Sequence, residues 1–360
     1  MALSIGLIGL PRSGKTTVFN ALTHSSAKVG GGGGPGTNVA VVPVPDPRLQ
    51  FLTGLFRPKK TTAATVQYTD LGGLLAASSV QGELGRAVLS SLRDVDALLH
   101  VVRAFTGDDG VPPDPAGDAE AVDLELALAD LSLIDKRLER LGDARKKGKI
   151  SADELREEEV MLRLREGLSR GNPIREIELA QEDQRLVRQY QFLTGRPVLI
   201  VLNIAEKDLP MAETWVGDFR AGQLHGQSLV TSICGKLEME LAQLEPAESA
   251  EFMAALGIAE PGLNRVIRLS HELLGLISFL TVGPDEVRAW TLRRGRLASE
   301  AAGTVHSDME KGFIRAQVVS FDDLLQYGGM TAAKHAGRVR LEGRQYVVQD
   351  GDVMEFLFNV

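Results

Sequence analysis

The hydrophobic positions of the chain fall into several short runs that are apolar throughout or apolar at alternate positions. A run that is apolar at every position is typical of a strand buried on both faces, as in a parallel sheet covered by helices. Helical patterns lie between the runs, the first at 17–22. The arrangement predicts an α/β fold with a mostly parallel sheet. Its predicted strands are 5–8, 38–44, 65–69, 96–103, 197–202 and 228–233.

Residues 118–195 have a different pattern, with apolar residues at alternating spacings of three and four. This spacing is typical of a coiled-coil stripe and predicts an antiparallel helical arm inserted into the α/β domain. A capping box at Ser151 and Glu154 opens the second helix. Four cations in Arg145–Lys149 lie at the arm's tip, where they either contact RNA or form an ordinary solvated helix end. The predicted stripe is Leu124, Leu128, Leu131, Ile134, Leu138 and Leu141.

The last 84 residues, 277–360, form a third pattern. A predicted hairpin pairs 277–282 with 286–292, a helix follows near 321, and late strands lie at 346–348 and 354–358. This order suggests a β-grasp module without a catalytic constellation, which indicates a recognition role. The predicted domains are a nucleotide-binding domain (1–117 and 196–276), the helical arm (118–195) and the C-terminal module (277–360).

Composition narrows the class of protein. The chain has 360 residues, 44% hydrophobic and 24% charged, with a net charge of −8, as in an ordinary soluble globular protein. The single cysteine, Cys234, excludes a disulfide framework and agrees with a reducing cytoplasm. No apolar run approaches the roughly 20 residues that span a bilayer, and the first residues lack a basic leader. We expect a cytoplasmic protein that binds no membrane and requires no oligomer.

The segment after the first strand carries the candidate chemistry. Residues 9–16 spell Gly-x-x-x-x-Gly-Lys-Thr between a strand and a helix, the pattern of a phosphate-binding loop. Its N–H groups and the helix dipole would hold phosphate oxygens, Lys15 would bridge the β- and γ-phosphates, and the Thr16 hydroxyl would bind Mg²⁺. The sequence therefore predicts nucleoside triphosphate binding. The predicted loop residues are Gly9, Arg12, Ser13, Gly14, Lys15, Thr16 and Thr17.

A second predicted strand ends in Asp70-x-x-Gly73. Asp70 would reach Mg²⁺ through water, and the Gly73 amide would contact the γ-phosphate and carry a switch segment. Leu74 stands where Ras-type GTPases use a glutamine to orient the attacking water, so hydrolysis must be slow or rely on another group. The glycine run 30–34 is either the first switch loop or a flexible surface loop.

Residues at the ends of two later strands are candidates for base recognition. GTPases place Asn-Lys-x-Asp there, but this chain has Asn203-Ile204-x-Glu206. A glutamate one methylene longer, and an isoleucine in place of the lysine that covers the base, both weaken a guanine clamp. Adenine therefore becomes the expected base, with Cys234 and Gly235 as candidates for the pocket wall.

Taken together, these residues resemble the YchF family of P-loop ATPases, relatives of Obg-type GTPases, over nearly the whole chain. The resemblance implies a G domain with an inserted helical arm and a C-terminal TGS domain of ubiquitin-like fold. It also implies ATP preferred over GTP, weak ATPase activity and association with the ribosome. The resemblance rests on 9–16, the run 42–48, Asp70-x-x-Gly73-Leu74, 125–130, Asn203-x-x-Glu206, 288–291, 311–316 and 348–353.

The chain departs from the family pattern at the positions that tune hydrolysis. Arg12 replaces an asparagine of the family's phosphate loop and places a fixed charge there. The switch threonine that binds Mg²⁺ falls on Gly34 in direct register, with Thr37 as a shifted substitute, and Ala76-Ala77-Ser78 replaces a Lys-Gly-Ala.

We therefore expect a slow, Mg²⁺-dependent ATPase that acts as a ribosome-linked switch and has RNA or protein of the large subunit as its partner, with Lys15, Arg12 and Gly73 as the catalytic residues. One alternative is a nucleotide-binding scaffold with little or no hydrolysis, and another is true GTP specificity despite Glu206. His100 lies inside an apolar run, which favours a structural role over a catalytic one.

Overall fold

A computed structural model describes residues 3–23, 38–70, 91–107, 110–222 and 228–359. Several predicted features lie outside these residues, namely Gly30–Gly34, Thr37, Gly73, Leu74 and Ala76–Ser78. The chain divides into two compact units. Unit 1 comprises Met1–Ala40 and Gln67–Val266, and unit 2 comprises Val41–Val66 and Ile267–Val360.

Strands are numbered in chain order within the described residues. They form two sheets of six strands each, one ordered β2-β4-β1-β5-β6-β7 and the other β11-β10-β12-β8-β9-β3. The strands are β1 Ser4–Ile8, β2 Asn38–Pro43, β3 Lys60–Thr62, β4 Thr65–Asp70, β5 Ala97–Ala104, β6 Val198–Ile204, β7 Leu229–Ile233, β8 Leu276–Val282, β9 Glu286–Arg293, β10 Phe313–Ser320, β11 Arg340–Glu342 and β12 Asp352–Phe358.

Helices are numbered in the same way. They are α1 Lys15–Thr23, α2 Pro47–Phe56, α3 Pro115–Lys146, α4 Ala152–Ser169, α5 Gln181–Arg188, α6 Ala212–Gly222, α7 Gly235–Leu241, α8 Pro246–Ala255, α9 Gly262–Leu273, α10 Ala298–Val305, α11 Ser307–Lys311, α12 Phe321–Tyr327 and α13 Met330–His335. Two 3₁₀ segments lie at Ile174–Glu176 and Glu206–Met211.

The first sheet is parallel at the β1–β4, β1–β5, β5–β6 and β6–β7 pairs. All seven residues of β6 are buried, as expected for a strand covered on both faces. The order places β1 at the centre, so the loop that follows Ile8 opens at the carboxyl edge of the sheet. Ligands bind at this edge in open α/β sheets, and the predicted fold class is confirmed for this part of the chain.

The helical arm exists, but its buried stripe differs from the predicted one. Leu124 and Leu128 are 60% and 53% exposed, whereas Val122 and Leu126 are buried. The first half of α3 lies on the sheet and follows the 3.6-residue period of a single packed helix. Only the second half of α3 pairs with α4. The prediction of a continuous 3.5-residue seam was therefore wrong for the first half of α3.

A buried carboxylate joins the arm to the sheet. Asp130 on α3 is fully buried and accepts hydrogen bonds from the N–H groups of Leu193 and Thr194 at 3.1 and 2.8 Å. It also accepts from the Thr194 hydroxyl at 2.8 Å and from the guanidinium of Arg93 at 3.2 Å. A buried charge needs such partners, so these bonds fix the base of the arm next to the start of β6.

Unit 2 has the predicted β-grasp arrangement, which is thereby confirmed. Strands β8 and β9 form the hairpin, β12 runs parallel to β8, and α10 packs across the sheet. Ala298, Ala301 and Ala302 are fully buried, and their small side chains let α10 lie close to the strands. Residues 346–348 make a single bridge to Leu297 instead of the expected strand, and the sheet contains two strands that were not predicted, β10 and β11.

The second sheet also takes a strand from the segment 41–66, which the sequence placed in the nucleotide-binding domain. Strand β3 pairs in parallel with β9, in register from Lys60 with Glu286 to Thr62 with Arg288. Within unit 2, Phe51 of α2 meets Phe321 edge-on with ring centroids 5.5 Å apart. The segment between β2 and β4 therefore adds a strand to the sheet of the C-terminal module.

Arg48 is the polar anchor of this segment. Asp46 caps α2 by accepting from the Arg48 N–H, and its carboxylate also binds the Arg48 guanidinium at 2.8 Å. Nη1 of Arg48 donates to Asp350 at 2.8 Å, and the other oxygen of Asp350 accepts from the Ser278 N–H. One guanidinium thus links α2 to the turn before β12.

We predict that Arg48→Met lowers the free energy of unfolding of unit 2 by about 1 kcal/mol. The variant loses two charge-assisted contacts that are only partly exposed, while it keeps most of the apolar stem. Hydrogen exchange at the Ser278 and Gly351 amides of the full-length protein measures the change.

Lys59→Met is the matched control. Its ion pair with Asp285 has the same 2.8 Å length, but both side chains are about 80% exposed, so we expect a change within about 0.5 kcal/mol. Equal exchange rates in both variants would show that Arg48 does not anchor the segment.

Candidate nucleotide-binding site

The phosphate loop runs from the end of β1 to the start of α1, as the sequence predicts. Gly9 and Gly14 have φ angles of 144° and 91°, which side chains other than glycine rarely adopt. A Cβ at Gly9 would collide with the Val101 carbonyl, and one at Gly14 would collide with the amide of Asn203. Both glycines are therefore required, one by the close approach of the Val101 backbone and the other by that of the Asn203 side chain.

Lys15 turns its ammonium group back into the loop. Its Nζ donates to the carbonyl oxygens of Gly9 and Leu10 at 2.7 and 2.9 Å, and the side chain is buried. Burial lowers the pKa of Lys15 to about 8, although the charge of Asp70 opposes this shift. A buried ammonium held by neutral carbonyls is poised to exchange them for phosphate oxygens.

Ser13 supplies a free polar atom in the same loop. The residue is 1% exposed, and its Oγ has no hydrogen-bond partner within the described part of the chain. An unpaired buried hydroxyl is costly, so a ligand oxygen at this position would stabilise the loop. This observation fits a phosphate better than it fits an ordinary glycine-rich turn.

Asn203 joins the loop to the start of α7, where the sequence predicts the base. Its Nδ2 donates to the Ser13 carbonyl at 3.0 Å, and its Oδ1 accepts from the Gly235 N–H at 2.9 Å. The sequence predicted Asn203 as a base contact, but it did not reveal this structural role. Only the packed fold brings the end of β6 next to both α1 and α7.

The other predicted base contacts differ in how exposed their side chains are. Glu206 is exposed at the start of the 3₁₀ segment, and Cys234 is buried directly before Gly235. Burial raises the pKa of the Cys234 thiol, with a smaller contribution from the nearby Glu206 carboxylate. Ile204 packs into the core of the sheet and is 2% exposed, so its side chain offers a base little surface.

The two residues predicted to bind a divalent cation lie at the same edge. Thr16 is in the first turn of α1, and Asp70 ends β4 opposite Leu7 of β1. A hydroxyl and a carboxylate are the hard ligands that Mg²⁺ combines with phosphate oxygens and water. The residues present therefore fit the predicted metal.

The structure describes some of the remaining predicted residues. Thr17 follows Thr16 in α1 and is half-buried, while Gly73 lies outside the described residues. Arg12 is exposed in the loop, with a φ of 65° that is unusual for a residue with a side chain. The left-handed conformation of Arg12 turns the backbone directly before Ser13.

His100 lies in the sheet beside the loop, paired in register with Ile8. It is almost fully buried, and burial lowers the pKa of its imidazole to about 3, with smaller contributions from the Lys15 and Arg175 charges. A neutral buried histidine agrees with the structural interpretation of this residue.

The fold and this loop together define a P-loop domain of the nucleoside-triphosphatase class. Comparison with family models agrees with this class. The model described as "50S ribosome-binding GTPase" matches residues 4–154, and that of the YchF GTPase C-terminal family, described as a protein of unknown function, matches residues 276–359.

Close relatives extend over the whole chain. It is 44% identical to the ribosome-binding ATPase YchF of Bacillus subtilis and 39% identical to that of Escherichia coli O157:H7, with 100% of each chain covered. It is 36% identical to Obg-like ATPase 1 of Oryza sativa subsp. japonica, over 99% of this chain and 92% of that protein.

A solved structure shows the same architecture. The YchF GTPase of Schizosaccharomyces pombe superimposes with a TM-score of 0.84 at 28% identity, over 99% of this chain and 97% of that chain. The chain belongs to the YchF family. Within the residues that the structure describes, no helix is both long and apolar enough to cross a membrane.

We predict that ATP affinity falls about tenfold per pH unit above pH 8. In the free protein Lys15 loses its proton near this pH, whereas a bound triphosphate raises the pKa of the ammonium, so binding takes up a proton. Calorimetry at pH 9 in two buffers of different ionisation enthalpy measures the proton uptake.

Lys15→Ala is the control, because its residual affinity should not change over this pH range. If the ATP affinity of the unmodified protein stayed constant from pH 7.5 to 9.5, this would contradict the assignment of Lys15 as the cation that binds the phosphates.

Proposed function

We propose that this protein is a Mg²⁺-dependent P-loop ATPase that also binds GTP more weakly and that works on the ribosome. The observation that carries the proposal is the loop itself. Lys15 is held inside it by exchangeable carbonyls, and the buried Ser13 hydroxyl is left for a ligand. Its three relatives above are named as ATPases.

The chain's own residues would act by position and charge. The N–H groups of the loop and the N-terminus of α1 would hold the phosphates, and the Lys15 ammonium would neutralise charge that develops on the β- and γ-phosphates. Gly73 would donate its N–H to the γ-phosphate. Asn203 keeps the loop at a fixed distance from Gly235, so that the phosphate and base ends are presented together.

Mg²⁺ would be held by the Thr16 hydroxyl and, through water, by Asp70. When bound, it neutralises phosphate charge and orients the triphosphate for in-line attack by water. Gly9, Gly14 and Thr17 would complete the phosphate contacts of the loop.

The base side supports adenine over guanine. A guanine clamp needs a carboxylate that accepts two bonds from the base edge, and Glu206 is one methylene longer than the aspartate of GTPases. Ile204 is buried in the core and cannot replace the stem of the lysine that covers guanine. Cys234 and Gly235 would form the wall beside the base.

Ribosome association is proposed from the relatives, two of which are named ribosome-binding ATPases. An arm and a β-grasp module in the same chain as a nucleotide site suit a protein that docks in one nucleotide state and leaves in another. We place its action in the cytoplasm, where ribosomes and ATP meet.

We predict that ATP binds more tightly than GTP in the presence of Mg²⁺ and that slow phosphate release follows. Lys15→Ala should abolish the release, because it removes the cation next to the γ-phosphate. Calorimetric titration of each nucleotide, followed by phosphate release from the tighter complex, measures both properties.

Tighter binding of GTP would overturn the assignment of Asn203-x-x-Glu206. Tight ATP binding without release above background would instead support the alternative, a nucleotide-binding scaffold with little or no hydrolysis.

Arg12 is proposed as an in-cis arginine that supplies a second charge at the phosphates. We predict that Arg12→Ala lowers kcat by at least about tenfold and changes ATP affinity less, because charge stabilisation matters most in the transition state. Single-turnover kinetics separates the two effects, and a variant as fast as the parent would remove Arg12 from the mechanism.

A further inference from the structure

The tip of the helical arm is an ordered turn that carries four cations. Helix α3 ends at Lys146, and Gly148 then takes a left-handed φ of 66°. The Gly148 N–H donates to the Arg145 carbonyl, and the Lys149 N–H donates to the Ala144 carbonyl, both at 3.0 Å. This pair of bonds is the Schellman closure of a helix, so the cations are displayed from a defined backbone.

The charge at the tip exceeds what the helix end requires. Cations in the last turn stabilise a helix dipole, and Arg145 and Lys146 occupy that turn. Lys147 and Lys149 lie beyond it, where the closing bonds already satisfy two terminal carbonyls. Residues 144–150 contain four cations and no carboxylate, in a chain whose net charge is −8.

Nearby carboxylates pair with two of the four cations and leave Lys147 and Lys149 without an ion pair among the described residues. Glu158 pairs with Arg145 at 2.7 Å, and Asp143 approaches Lys146 at 3.7 Å. Glu154 is bound to the amide and hydroxyl of Ser151, which caps α4. Exposed Asp153 is the other acid of this first turn, and no ion pair within 4.0 Å is found for Lys147 or Lys149 among the described residues.

The arm also carries the tip away from the sheet. The last residue of α3 that packs on the sheet core is Ala129, and Lys146 lies 17 residues further, about 25 Å along the helix axis. Side chains at the tip are highly exposed, with Lys146 at 81%. A large partner can therefore reach these lysines without contact with the nucleotide site.

We propose that this basic tip, defined as Arg145, Lys146, Lys147 and Lys149, binds the phosphate backbone of structured RNA. Lysines on an exposed turn make point-charge contacts with phosphates and read no sequence, which suits a surface rich in RNA backbone. The choice of RNA as the partner rests on the proposed ribosome association.

An acidic protein would satisfy the same lysines, so the test must separate the two partners. Binding to RNA releases counterions and therefore weakens steeply with salt, by a slope that reports the number of phosphate contacts. Protein-free ribosomal RNA offers only the RNA phosphates, whereas whole 70S ribosomes offer both surfaces.

The test compares the unmodified full-length protein with the variant Lys146→Gln, Lys147→Gln, Lys149→Gln. Arg145 is kept because its pair with Glu158 joins the two helices. We measure binding to protein-free ribosomal RNA and to purified 70S ribosomes over a KCl series at constant Mg²⁺. The variant should bind both about tenfold or more weakly near 0.1 M salt, and the slope of log K against log salt should fall by about two to three.

The matched control is Lys136→Gln, Lys311→Gln, Lys334→Gln, which removes the same charge from three exposed lysines elsewhere. It should bind like the parent, and both triple variants should keep the parent's ATP turnover. Equal RNA binding by the tip variant and the parent would overturn the proposal.

Two further outcomes have distinct meanings. Weaker ribosome binding with unchanged binding to free RNA would assign the tip to an acidic ribosomal protein and overturn RNA as its partner. A parent that binds free RNA through the tip but does not bind ribosomes would contradict the proposed ribosome association and leave the tip inference standing.

Discussion

The amide of Asn203 holds the phosphate loop and the start of α7, the two ends of the proposed nucleotide site, at a fixed separation. It donates to the Ser13 carbonyl in the phosphate loop and accepts from the Gly235 N–H at the start of α7. Gly14 is required because any side chain there would displace this amide. A buried polar side chain with both bonds satisfied is rigid, so the site is organised before a ligand arrives.

This rigidity contrasts with the incomplete hydrogen bonding of the ligand-facing groups. Lys15 rests on two carbonyls and Ser13 Oγ has no partner among the described residues, so in the proposed function both would gain bonds to a phosphate. The framework is thus fixed by Asn203, while the reactive groups remain available. Asp130 has a comparable structural role at the base of the arm, where four donors hold one buried carboxylate.

Local patterns predicted the parts of the molecule that depend on local sequence. The loop 9–16, the strand that ends in Asp70 and the β8–β9 hairpin follow from glycine spacing and apolar runs. The exposure of Leu124 could not be predicted, because it depends on which surface α3 packs against. The pairing of β3 with β9 joins residues more than 220 positions apart and leaves no local signal.

The most direct test of the account is a crystal structure with Mg²⁺ and a non-hydrolysable ATP analogue. We expect the Lys15 Nζ to leave the Gly9 and Leu10 carbonyls for the β- and γ-phosphates, with Thr16 on the metal and the adenine beside Gly235. Asn203 should keep both of its bonds. An analogue bound away from this loop, or a Lys15 that stays on the carbonyls, would contradict the account.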